Sequence, residues 1–248
     1  MNLPFQMRKT GRSWAAVALL AAIGAARAAG HAPDRTPNQT PDQATAIRRV
    51  DAAVLARVNR IAGYTVTEHY AVYRGKDETH PVAEMTVKTA YRRETGKSYQ
   101  VVSESGSSLI RRLGLDPLLE REKEINLPGN IEHSWITSAN YDMKLKPGTV
   151  MLNGRECLEF AITPKRKAPN LVVGSLWVDA KDYTIAKLEG VASKAPSVFA
   201  GETHMMRQYS YVDGFSMATQ ARAESTTFLY GKTVVTIDYS GYKLELKP

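Results

Sequence analysis

The chain has 248 residues, of which 43% are hydrophobic and 23% charged, a composition that excludes an intrinsically disordered chain and provides for a sizeable core. The formal charge of +8 gathers at one end, because Arg8, Lys9, Arg12 and Arg27 lie in the first 28 residues, which contain no Asp or Glu. The remainder carries only +4, a weak case for a polyanion, and no nucleic-acid partner is expected.

The first segment reads as an export signal. Arg8, Lys9 and Arg12 precede the apolar run 14–26, and Ala26-Arg27-Ala28 offers the small-x-small pattern of a cleavage site, which places residues 1–28 in a signal peptide cleaved near Ala28. The run is shorter than the roughly 20 residues that a spanning helix needs. The single cysteine, Cys157, is far from the signal, so no internal disulfide is expected and the cysteine that bacterial lipoproteins acylate just after cleavage is missing. Residues 29–43, rich in Pro, Asn, Asp and Thr, read as a flexible linker, and a folded domain is expected over 44–248.

Thr40-Pro41-Asp42-Gln43 has the pattern of a capping box with Thr40 as the cap, which predicts a helix next. Ile47, Val50, Val54, Val58 and Ile61 recur at steps of three and four opposite Arg48, Arg49, Arg57 and Arg60, and Gly63 marks the expected end. From Tyr64 the period changes to two. Strands are predicted over 64–73, 82–92 and 97–103, then, after a charged helix over 117–125 and an unassigned stretch 127–140, over 141–145, 155–163, 171–179, 184–193, 206–212, 216–225 and 233–246. Pro147-Gly148, Asn153-Gly154, Lys181-Asp182 and Asp213-Gly214 supply the turns, the last being a strong tight-hairpin signal. The fold class is therefore mainly β with flanking helices, built on one large antiparallel sheet.

Alternation separates the faces of that sheet. Leu158, Phe160 and Ile162 share one face against Arg155, Cys157, Glu159 and Ala161, and Ala186 and Leu188 oppose Lys187 and Glu189. A large open sheet must cover its apolar face, and two helices are few for the task. Two outcomes stay open: a sheet curled onto its own side chains, or a concave apolar groove partly lidded by helices and suited to a lipid.

Catalytic motifs are scarce. There is neither a phosphate loop nor a Gly-x-Ser-x-Gly elbow, and His69, His80, His133 and His204 are scattered without a metal-ligand spacing, so no enzyme activity, metal or cofactor is expected. Cys157 reads as a packing residue, Met205-Met206 as core or a soft contact surface, and Lys165-Arg166-Lys167 as a wet loop or a contact for anionic headgroups.

The segments Leu176-Trp177-Val178-Asp179-Ala180-Lys181-Asp182, Asn140-Tyr141-Asp142-Met143-Lys144-Leu145 and Ala161-Ile162-Thr163-Pro164-Lys165-Arg166-Lys167 resemble those of bacterial outer-membrane lipoprotein-sorting proteins, distant relatives of the carrier LolA and its receptor LolB. The resemblance covers 64–248 and its motifs are structural. It implies a LolA-like unclosed half-barrel in the periplasm whose concave apolar side, lidded by helices, receives acyl chains of lipoproteins or other lipids. The missing lipidation cysteine favours a soluble carrier over a tethered acceptor. A monomer is expected, with lipids and envelope membrane proteins as partners. The alternative is a non-catalytic RseB-like sensing or protein-binding module on the same half-barrel. Met85, Val87, Leu158, Phe160, Ile162, Leu176 and Leu188, chosen by alternation, are the candidate groove residues, with Trp177 as a competitor of Leu176 for the inward position.

Overall fold

The computed structural model describes residues 41–195, 200–227 and 231–247. The expected signal peptide and all but the last residues of the expected linker lie outside them.

Helix α1 spans Gln43–Arg60. Its cap is Asp42, whose carboxylate accepts from the Ala44 and Thr45 backbone N–H groups at 3.2 and 2.9 Å, so the cap lies two residues beyond the expected Thr40. A carboxylate satisfies two orphan donors and also faces the positive end of the helix, where a hydroxyl would do less. The helix ends before Gly63, which belongs to strand β1 (Ile61–Arg74). There a Cβ would stand 2.7 Å from the Tyr91 carbonyl oxygen, so this glycine serves close strand approach rather than helix termination.

After β1 come β2 (Ala83–Arg92) and β3 (Gly96–Gly106). A helical passage follows: the single turn α2 (Ser108–Ile110), a turn of π-helix at Arg111–Leu115, and α3 (Asp116–Ile125). The stretch left unassigned by the sequence holds a short 3-10 turn, Ile131–Ser134. The remaining strands are β4 (Tyr141–Leu145), β5 (Val150–Leu152), β6 (Arg155–Pro164), β7 (Val172–Asp179), β8 (Ile185–Ala192), β9 (Ala200–Val212), β10 (Phe215–Thr227) and β11 (Gly231–Leu246). Asn153 and Gly154, and likewise Asp213 and Gly214, all have positive φ, the backbone of type I′ turns, which matches strand twist and gives the tight hairpins expected from these pairs.

The strands form one antiparallel sheet in the order β3-β2-β1-β11-β10-β9-β8-β7-β6-β4, with β5 on β6. Edges β3 and β4 do not pair, so the sheet is an unclosed half-barrel. The first and last strands pair in its middle, which leaves residues 107–140 as the connection from one edge to the other. Where β7 and β8 face each other, Gly174 is the register partner of Gly190, and a Cβ on either would lie 2.2 Å from a carbonyl of the opposite strand. The two backbones approach so closely there that only a glycine pair fits.

One cross-strand row describes the concave face. Phe160, Leu176, Leu188, Arg207, Ala221, Ile237, Tyr70 and Met85 are successive register partners from β6 to β2. Both ends of this row are packed. Ala46 and Val50 of α1 join Leu158, Phe160, Ile162, Leu176 and Val178 in one buried cluster. Leu115 and Leu119, at the start of α3 and just before it, join Tyr70, Met85 and Val87 in another. Each such side chain, fully buried, contributes about 1.5–3 kcal/mol of transfer free energy.

Candidate ligand-binding site

Between the two packed ends lies a cavity of about 740 Å³, lined by the central strands β9, β10 and β11 on one side and by α1 and α3 on the other. This is within the size range of small-molecule sites. Strand β10 makes the space, because Ala218, Ala221 and Ala223 line the cavity with methyl groups where the flanking strands carry Met205, Arg207, Val235 and Ile237. Val54 of α1, Leu118 and Ile125 of α3, and Ile136 of the edge-to-edge connection complete an apolar wall. Met205 and Met217 add thioethers, which adapt to irregular apolar shapes.

The connection is fastened to α1 at one point. The backbone N–H and hydroxyl of Ser138 donate to the two carboxylate oxygens of Asp51 at 2.8 and 2.5 Å. Lys165 adds a bond from its Nζ to the Ser138 carbonyl at 2.7 Å, and Arg166 donates to the His133 carbonyl. The basic run thus holds the connection from the β6–β7 loop while its three side chains stay exposed.

Polar groups enter the cavity mainly beside α3. Lys97 of β3 lies 2.9 Å from Glu122 and 4.0 Å from the fully buried Glu68. Tyr70 donates its hydroxyl to the other Glu68 oxygen, whereas Glu68 Oε1 has no hydrogen-bond partner. Burial pushes the Glu122 carboxyl up, but Lys97 and Arg207 outweigh it and hold the group below its ordinary value. Burial likewise lowers Lys97, and Glu122, Tyr64, Glu68 and Tyr99 together more than reverse it. Beside Lys97, whose register partner is Tyr91, Tyr64 stacks on Tyr91 at 5.1 Å and meets Tyr242 at 5.8 Å, so aromatic rings line the cavity next to the charged group.

The candidate groove residues fall into three places. Leu188 is on the cavity wall; Leu158, Phe160, Ile162 and Leu176 are packed against α1; Met85 and Val87 are packed in the cluster with α3. Leu176 takes the inward position, and Trp177 lies on the outer face with the Lys187 ammonium 5.0 Å from its ring centre. Cys157, expected on a wet face, is fully buried, and burial pushes its thiol up. Arg207 and the alanines of β10 were missed by the sequence reading. An arginine at the start of a strand reads as a wet residue, and the signal that distinguishes it is parity: it shares the face of Met205 and Tyr209. Among the described residues no three His, Cys, Asp or Glu side chains gather at metal-binding spacing, and no helix is long and apolar enough to cross a membrane.

The sequence matches no protein-family model and no curated protein. Solved structures with a similar fold include a LolA superfamily protein from Nitrosomonas europaea, at 12% identity over 84% of this chain and 96% of that one, with a TM-score of 0.43. A DUF1329 family protein from Desulfovibrio piger follows at 13% identity, 80% and 93% coverage and a TM-score of 0.40. A domain described as an outer membrane lipoprotein-sorting protein, from Vibrio parahaemolyticus, gives 13%, 79% and 91%, and 0.42.

Proposed function

We propose that this protein is a non-catalytic carrier that takes acyl chains of lipoproteins or other lipids into the half-barrel, in the periplasm, and moves them toward the outer membrane. The observation that carries the reading is the apolar cavity of about 740 Å³ left between two helix-packed ends of one concave sheet. A buried methylene is worth about 0.8 kcal/mol, so a long acyl chain costs on the order of 10 kcal/mol to leave in water, and a carrier must offer replacement apolar surface. Methionines and alanines give such a surface without demanding one chain shape. Leu188 and Ile136 belong to that wall, and the candidates packed behind α1 and α3 would join it on displacement of either helix.

Displacement of an apolar fluorescent probe by a lipopeptide, compared with its deacylated form, tests the reading. Displacement by the acylated form alone supports it; equal displacement by both removes the acyl chain as the recognised element. A second reading, a sensing or protein-binding module, draws on the bare edge of β3, where Val101 and Val102 are 49% and 54% exposed and the edge offers unpaired backbone for strand addition.

A further inference from the structure

Arg207 is the charged member of the otherwise apolar or aromatic row that runs from Phe160 to Met85. It lies between Leu188 on β8 and Ala221 on β10, and all three line the cavity. Arg207 is half-buried, and its guanidinium, which cannot lose its charge, belongs to a largely apolar cavity lining where a partner anion is worth more than in open water. Yet among the described residues no carboxylate reaches ion-pair distance of Arg207, while Lys97 takes the nearby Glu122 at 2.9 Å. Tyr209 and Tyr239 lie close to the guanidinium, and Glu122 acts on it from beyond ion-pair distance. Ala221 beside it leaves room for a ligand atom at the guanidinium.

We propose that Arg207 is the anchor for the anionic group of an amphiphile whose chain fills the cavity, so that the preferred ligand ends in a carboxylate or phosphate. The inference rests on the carrier reading above and specifies its ligand class. In that arrangement the head is held inward by a planar fork of donors suited to carboxylate or phosphate, and the chain lies along Met205, Ile237 and Leu188. Arg57, Arg60 and Arg121 also line the cavity but lie outside the cross-strand row of Leu188, Arg207 and Ala221, and the anchor does not require them.

The test uses the full chain carrying a neutral probe, phenylnaphthylamine, displaced by dodecanoate, dodecyl phosphate or dodecanol, all below their micelle concentrations. Wild-type protein is expected to bind one or both anions roughly tenfold or more tighter than the alcohol, the gain typical of a hydrogen bond to a charged group. Arg207→Met is expected to lose that preference while keeping dodecanol affinity, and Arg207→Lys to retain part of it. The better anion separates a free fatty acid from a phospholipid-type head. Equal binding of alcohol and anions by wild-type protein overturns the anchor, as does a preference that survives in Arg207→Met. Should Arg207→Met not fold, the wild-type comparison decides alone. Displacement by none of the three overturns the carrier reading and the anchor with it, which distinguishes that failure from loss of selectivity alone.

Discussion

Lys97 stands between the fully buried Glu68 and the half-buried Glu122, and removing it takes the ion-pair partner from both. Breaking a buried pair on one side typically costs about 3–5 kcal/mol, whereas replacing both partners by apolar groups is often neutral. Lys97→Met should therefore lower stability strongly, and Lys97→Met with Glu122→Leu should recover much of the loss, as read from urea unfolding. The pH dependence has a definite sign. Glu122 is held below its ordinary value of 4.5 in the folded protein, so its contribution is complete above 4.5 and is lost as pH falls through the folded value. Lys97 is held well above 10.5, so its contribution is complete below 10.5 and is lost as pH rises through the folded value. The double variant should lose part of the acid destabilisation seen in wild-type protein. At Phe160, which is fully buried among α1 and its sheet neighbours, Phe160→Ala should cost roughly 3–5 kcal/mol in the same measurement. No change there would contradict the inward assignment of that strand's face.

Between β7 and β8, the Gly174 and Gly190 pair permits the close approach, so Gly174→Ala should separate the two strands and cost about 1–3 kcal/mol or more. Preserved stability with wild-type exchange protection in β7 and β8 would show that this approach tolerates a Cβ. The connection between the two edges is held by hydrogen bonds at Ser138 as well as by the packing of Leu115, Leu119 and Ile136. Asp51→Ala removes the acceptor of two bonds from Ser138 and should loosen residues 131–138, at a cost of about 1–3 kcal/mol, with faster amide exchange there and faster release of a bound probe. Unchanged exchange in that stretch would locate its restraint elsewhere. These elements were legible to different degrees. Asn-Gly and Asp-Gly define their turns through residues that accept positive φ, so hairpins appear in the sequence directly. Strand β5 has three residues between two turn signals, too few to show alternation. The first half of β9 carries Gly201, Glu202, Thr203 and His204, which read as loop because its stability comes from β10 alongside rather than from apolar periodicity.

For the whole Thr40–Pro248 unit, the sequence showed a large antiparallel sheet with one apolar face, and its unclosed half-barrel form was implied by the resemblance to lipoprotein-sorting proteins. The division of that face was not legible. Phe160, Leu176 and Leu188 alternate alike, yet the first two pack under α1 and the third reaches the cavity, because only three-dimensional placement of the helices decides which part of a row is covered. The cavity exists because β10 contributes alanines where neighbouring strands contribute larger side chains, a contrast visible only once the strands are in register. The central claim is that this space holds acyl chains, and Ala221→Trp tests it most directly, because the indole would occupy the cavity floor beside Arg207 without entering either core cluster. Native mass spectrometry of wild-type and Ala221→Trp protein mixed with an acylated lipopeptide is the decisive measurement. The expected result is a one-to-one complex for wild-type protein and its loss in a variant that unfolds at the same or a higher temperature; undiminished complex in a folded Ala221→Trp protein would contradict the claim.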